Sequence, residues 1–323
     1  MREIKFYEAI REATAQCLKR DENVYIMGLG VPDPKGIFGT TVNLQEEFGK
    51  DRVFDMPIIE NAATGIAIGT ALVGMRPILT HQRVEFALLS IEQIVNQAAK
   101  WHYMNAGQQN VPIVIRMIIG RGWGQGAQHS QSLESWFAHI PGLKVVMPTT
   151  PKDAKGMLLA SIFDPNPVIF LEHRWLHNTL GEVPDGNFRV PLGKAKIVKA
   201  GADITLVAMS YMTVEAIHAA NYLEGKGIIC EVIDLRTIKP LDWETIMNSV
   251  TKTGRVLALD SGFTTGSVAG EVVARVAMEK FSALKSAPQR LAMPDVPEPT
   301  SPALTKGFYV RAANIAEKVM EMF

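Results

Sequence analysis

Three short apolar runs restrict the fold of this chain more than any other feature: RPILTH at 76–81, VPIVIRMII at 111–119 and PVIFLEH at 167–173. None alternates apolar and polar residues as a strand with one wet face would, and each is too short for a buried helix. Such runs belong to strands covered on both sides. Stretches with helical spacing lie between them, at 60–74, near 89–104 and at 151–163, and KVVMP at 144–148 adds a further strand. Strand and helix in alternation give a parallel sheet with helices on both faces. Upstream, Phe6, Ala9, Ile10, Ala13, Cys17 and Leu18 recur at helical spacing, and Val24 to Met27 and RVFDMP at 52–57 supply two more strand-like runs.

Residues 178–195, NTLGEVPDGNFRVPLGKA, interrupt this rhythm with Gly, Pro, Asn and Asp. They place a first domain at 1–180, a linker at 181–195 and a second domain at 196–323. The second repeats the pattern: DITLVAM, a helix around 212–225, IICEVIDLRT, a helix from about 241, GRVLALD, a helix from about 267, QRLAMPD and a last helix ending at Phe323. This second unit is too short for a TIM barrel and has the size of an open sheet, so the expected class is α/β with two open, mostly parallel sheets. A chain of 323 residues, 47% of them hydrophobic, can fill two such cores.

Thirty-three basic residues balance 33 acidic ones, so no net field draws the chain to nucleic acid or to a membrane surface. The N-terminal stretch MREIKFYEAIREATAQ lacks the apolar core of a signal peptide, and no later run has the length of a membrane span. The expected compartment is the cytoplasm. Cys17 and Cys230 sit in apolar patterns without a CxxC or a Cys/His cluster, and read as packed, reduced thiols. There is no GxxxxGK[ST], HExxH or GxSxG, which removes phosphate-loop, zincin and α/β-hydrolase chemistry. Gly122, Gly124 and Ala127 approximate a dinucleotide finger, but no acidic residue follows about 20 positions on, where GLKVVMP stands. His173 and His177 are spaced as metal ligands would be on a helix, yet no third ligand accompanies them, and polar residues at a strand end are the preferred reading.

Ligands of open α/β sheets bind beyond the carboxyl ends of the strands, which directs attention to loops 57–61, 81–86, 120–132 and 173–178. Glu60 opens ENAATGIAIGTALVG, a stretch without another charge until Arg76. A carboxylate there either answers the helix dipole or handles a proton in an apolar pocket. His129 lies in GRGWGQGAQHSQS, where glycines let the backbone approach a ligand and an imidazole can exchange protons near neutral pH, unless its role is structural.

The segments RVFDMPIIENAATGIAIGTALVGMRPI, SIEQIVNQAAKWHYMNAGQQNVPIVIR, GAQHSQSLESWFAHIPGLKVV, DAKGMLLASIFDPNPVIFLE and EVIDLRTIKPLD, in this order, resemble the E1 beta subunits of pyruvate and branched-chain 2-oxo acid dehydrogenases, of the transketolase-like superfamily. The resemblance spans nearly the whole chain. It implies a pyrimidine-binding domain followed by a transketolase C-terminal domain, and thiamine diphosphate as cofactor. The glutamate matching Glu60 bonds N1′ of the aminopyrimidine and favours the tautomer that takes the proton from the thiazolium C2. Phe86 matches the aromatic residue that stacks on the pyrimidine, its alternative being plain core packing. His129 matches a histidine beside the reacting centre. Ile113, Ser161, Asp164 and Asn166 match positions that hold a monovalent cation, K+, in relatives.

These enzymes anchor the diphosphate and its Mg2+ through a GDG motif on an alpha subunit, and no GDG occurs here. The resemblance therefore implies an α2β2 heterotetramer with an E1 alpha-type partner, a 2-oxo acid substrate and acyl transfer to a lipoyl acyltransferase, E2. The match departs at strand ends: Gly28-Leu29-Gly30 replaces an acidic segment, His81 to Phe86 read HQRVEF, and 117–123 read MIIGRGW. Arg83 and Arg121, both introduced there, suit an anionic substrate or a salt bridge. Two other readings stay open beside the dehydrogenase subunit. One is a split transketolase-like enzyme delivering a two-carbon or acyl unit to a non-lipoyl acceptor, and the other is a non-catalytic interaction subunit.

Overall fold

The computed structural model describes residues 1–122 and 124–323, in two compact units. Unit 1 takes 1–119 and 136–192, and unit 2 takes 120–135 and 193–323.

Unit 1 runs β1 (Arg2–Lys5), α1 (Phe6–Arg20), β2 (Val24–Met27), α2 (Leu44–Phe48), β3 (Val53–Phe54), α3 (Glu60–Leu72), β4 (Arg76–His81), α4 (Val84–Ala87), α5 (Ala99–Met104), β5 (Val114–Ile119), α6 (Glu134–His139, of which Glu134 and Ser135 fall in unit 2), β6 (Lys144–Val146), α7 (Pro151–Ile162), β7 (Val168–His173) and β8 (Leu180–Val183). Its main strands lie in the order β6-β7-β5-β4-β2-β3, every pairing parallel. All six residues of β5 and of β7 are buried, which is why both read as unbroken apolar runs. Their two charged residues pair with each other: Arg116 Nε donates to Glu172 Oε1 at 2.6 Å and its NH2 group to Oε2 at 3.1 Å. Thr150 caps α7 by accepting from the Asp153 N–H, with Pro151 in the first turn. The helix expected near 89–104 is broken by a π-helical stretch, Gln93–Ala98, whose extra residue shifts the buried face from Ile94 and Ala98 to Ala99.

The expected linker is largely part of unit 1. Residues 180–183 form β8, antiparallel to β1, and the Val190 N–H donates to the Gly156 carbonyl of α7 at 3.1 Å. Gly and Pro made this stretch read as free, but its backbone groups are used, and the division falls between Leu192 and Gly193.

Unit 2 continues with β9 (Lys196–Lys199), β10 (Ile204–Ala208), α8 (Tyr211–Glu224), β11 (Cys230–Asp234), β12 (Thr237–Lys239), α9 (Trp243–Thr253), β13 (Val256–Phe263), α10 (Val268–Glu279), β14 (Gln289–Met293), α11 (Pro302–Thr305) and α12 (Ala312–Met320). The sheet order is β14-β13-β10-β11-β9, parallel except for β9 at the edge. Leu206, Val232 and Leu257 from the strands meet Ala216, Leu223, Ile315 and Val319 from α8 and α12 in one core. Asp242 caps α9, Gly254 ends it in the left-handed conformation, and Ser267 caps α10. Among the described residues no helix is long and apolar enough to cross a membrane.

Candidate active site

In unit 1 the chain passes from β2 to β3 on one side and then to β4 on the other, so the sheet reverses direction between β2 and β4. That crevice is where open α/β sheets take ligands. Its walls are drawn together by backbone. A Cβ on Gly28 would lie 2.2 Å from the Thr80 carbonyl oxygen, so only glycine permits this approach of the two strand ends. Gln82 Nε2 then donates to the Leu29 carbonyl at 3.1 Å, and Asp55 accepts from the N–H groups of Gly30 and Met56 at 2.9 and 2.8 Å. Loops 28–30, 55–59 and 81–86 thus form one tied rim.

Glu60 is the first residue of α3, whose face of Ala63, Thr64, Ala67, Ile68 and Ala71 is buried. The residue is 5% exposed, yet its carboxylate makes no hydrogen bond or ion pair among the described residues. Its one bond is through the backbone, where the carbonyl accepts from Thr64 Oγ1. A buried carboxylate is ordinarily paired, so this one is set for a partner from outside the chain. An apolar cavity of about 350 Å³ opens beside the same helix, lined by Tyr25, Met56, Ile59, Ile66 and Thr70 among others, and Glu60 is not part of its wall.

At the end of β4 stand two further polar residues. His81 is 2% exposed with neither ring nitrogen bonded among the described residues, and burial pushes its pKa down to about 4. The imidazole is therefore neutral at physiological pH. Arg83 is buried at the N-cap of α4, which removes a surface salt bridge from its possible roles. Phe86 follows in α4 with its side chain half-buried. His81 carried no independent sequence signal. A histidine ending an apolar strand looks like the start of a loop.

His129 and Arg121 belong to the segment 120–135 of unit 2. The Gly120 N–H donates to the Gln131 carbonyl at 3.0 Å, closing the loop at its base, and the His129 N–H turns back to the Gly126 carbonyl at 3.2 Å. Arg121 lies over the Tyr309 ring, 5.7 Å from its centroid, and donates to the Thr300 carbonyl. Residue 123, the last of the divergent segment, lies outside the described residues.

The expected cation positions fit less well. The Ile113 and Ser161 carbonyls already accept from Val168 and Asp164 N–H groups. Lys144 pairs with the Asp164 carboxylate, and Arg76 donates to the Asp164 carbonyl. Two resident cations leave little attraction for a third, and no step is assigned to K+. His173 accepts from the Trp175 N–H, and His177 lies buried 3.5 Å from Glu172 and stacked on Phe6. Among the described residues no three His, Cys, Asp or Glu side chains are grouped to hold a metal. Cys17 and Cys230 are buried free thiols, both pushed up to about 12 by burial.

Comparison with known proteins matches residues 2–178 to the transketolase pyrimidine-binding domain and 193–315 to the transketolase C-terminal domain. The chain is 44% identical over 313 residues to the pyruvate dehydrogenase E1 component subunit beta of Rhizobium meliloti, covering 97% of this chain and 67% of that one. This chain belongs to the E1 beta family. Members of other specificity stand nearly as near. The acetoin:2,6-dichlorophenolindophenol oxidoreductase subunit beta of Cupriavidus necator is 41% identical, with 98% and 96% of the two chains covered. The 2-oxoisovalerate dehydrogenase subunit beta of Bacillus subtilis is 39% identical, with 99% and 98% covered. A solved split-gene transketolase, an inactive beta4 tetramer, shares the fold with this E1 beta chain at TM-score 0.81 and 22% identity, covering 99% of this chain and 98% of that one. The unpartnered Glu60 carboxylate and the half-buried Phe86 side chain suit the pyrimidine half of thiamine diphosphate, the cofactor the family implies.

Proposed function

We propose that this E1 beta chain forms, with an alpha-type E1 partner in an α2β2 assembly, a thiamine-diphosphate enzyme that decarboxylates a 2-oxo acid and passes the acyl unit to a lipoyl carrier. The observation that carries the reading is Glu60, a buried carboxylate at the start of α3 without a partner among the described residues. When bound, the cofactor supplies a nucleophilic carbon and an electron sink for departing carbon dioxide. Glu60 holds or gives a proton at N1′ of the aminopyrimidine. Phe86 fixes the ring plane. The neutral His81 and the buried Arg83 form the rim that the substrate meets, where a guanidinium fork orients a carboxylate. His129 moves a proton near the reacting carbon. The diphosphate and Mg2+ fall to the partner, which supplies the GDG motif that this sequence lacks.

The test is reconstitution with the co-purified alpha-type chain, followed by carbon dioxide release from a panel of 2-oxo acids with lipoyl and aldehyde acceptors in separate arms. Release from one acid by the pair and by neither chain alone is the expected result. Preference for the aldehyde arm would replace the dehydrogenase by a transketolase-like transfer, and failure of the pair to bind thiamine diphosphate would make this a non-catalytic subunit.

A further inference from the structure

A second pair of carboxyl groups, in unit 2, lies in the base of the His129 loop. Glu134, at the C-terminal end of segment 120–135, and Asp260, on β13, are both fully buried and within hydrogen-bonding range of each other. Their surroundings are unequal. Asp260 accepts two backbone N–H groups, from Gly262 at 2.9 Å and from Ala269 in the first turn of α10 at 3.0 Å. Glu134 receives one hydroxyl on Oε1, from Ser261 at 3.2 Å, while its Oε2 has no donor. Glu134, with the fewer donors, therefore keeps the proton, which turns an unmatched oxygen into an O–H donor. Burial first, and then the Asp260 charge, hold Glu134 well above the usual carboxylate range. No Lys, Arg or His forms an ion pair with either carboxylate among the described residues; Arg290 of β14 lies against Gly270 of α10. Gly262 leaves room for the pair, since a Cβ there would lie 3.1 Å from Glu134 Oε1 and 3.3 Å from Asp260 Oδ1.

We propose that Glu134 and Asp260 share one proton as a clasp that docks the His129 loop on unit 2, making Glu134 a positioning residue whose ionisation releases the loop. The catalytic consequence rests on the role given to His129 above; the clasp itself does not. Its attachment is through Glu134, whereas the loop's other contacts involve no carboxylate: the Arg121 bond to the Thr300 carbonyl, and Gly126, where a Cβ would lie 2.3 Å from Thr300 Oγ1.

Linkage fixes the sign and the slope. A carboxyl with a raised pKa in the docked state is protonated there and ionised when exposed, so docking is strongest at low pH and weakens as pH rises. Between the pKa of an exposed carboxyl and that of the clasp, each pH unit multiplies the undocked fraction about tenfold. Hydrogen exchange of amides 126–134 in the reconstituted, cofactor-bound complex, corrected for intrinsic rates, reads this directly. Wild-type protection should fall about tenfold per pH unit once pH exceeds the ordinary carboxylate range, and Glu134→Gln, which keeps a neutral donor, should be flat. Ser261→Ala, a milder change that removes a bond to the ionised form, should keep the slope and extend it to higher pH. A flat wild-type profile, or the same slope in Glu134→Gln, overturns the clasp. With the clasp present, turnover should lose its alkaline limb in Glu134→Gln through kcat rather than KM. If His129→Ala leaves turnover intact while the exchange slope persists, the clasp stands and the role of His129 falls.

Discussion

Gly28 and Thr80 approach so closely that a single added methyl group would sit 2.2 Å from the Thr80 carbonyl oxygen. The contact joins the ends of β2 and β4 where the sheet of unit 1 reverses, and it sets the rim on which His81, Arg83 and Phe86 follow. Gly28→Ala should therefore destabilise unit 1 by about 1–3 kcal/mol, the usual cost of overpacking, because a backbone oxygen cannot rotate away. Denaturant unfolding checks this, and an unchanged midpoint would show that the strands separate without cost.

Arg116 and Glu172 should behave as a buried pair. Burial raises the Glu172 pKa, and the Arg116 charge and the bonds from His177 and Arg116 more than reverse it, leaving it lowered. Arg116→Met should cost about 3–5 kcal/mol, because Glu172 is then buried alone. Adding Glu172→Gln to that variant should recover part of the loss. Additive single effects in a double-mutant cycle would contradict the pairing.

His81 predicts a pH dependence of stability. Its native pKa, about 4, lies below the ordinary 6.5, so the unfolded chain takes up the proton first and stability falls as pH drops through that window. The loss approaches about 3 kcal/mol at the acid end, at roughly 1.4 kcal/mol per pH unit. His81→Leu should flatten the profile between those limits. An equal slope in the variant would assign the effect to other groups, His177 first, since burial lowers its pKa as well.

The strands were legible because β5 and β7 are buried on both faces, and Glu60 because a lone charge opens a long uncharged helix. What composition concealed was backbone pairing and distant polar partners. The Gly- and Pro-rich stretch after β7 hid β8, whose partner β1 lies at the other end of unit 1's sequence. The segment 120–135 was expected within the first domain, yet it belongs to unit 2. Glu134 was unreadable for the same reason. Among neighbours such as Ser132 and Ser135 it looks like a surface carboxylate until the fold brings Asp260 to it.

The central claim concerns the proton on Glu60, and the most direct measurement is the rate at which C2 of bound thiamine diphosphate exchanges its hydrogen for deuterium. It is followed by NMR in the complex with the alpha-type partner. Glu60→Gln keeps the size of the side chain but cannot pass a proton, so exchange should slow by about 100-fold or more, the range of general acid–base assistance, while the complex still assembles and holds the cofactor. Exchange at the wild-type rate in a loaded Glu60→Gln complex would contradict the account.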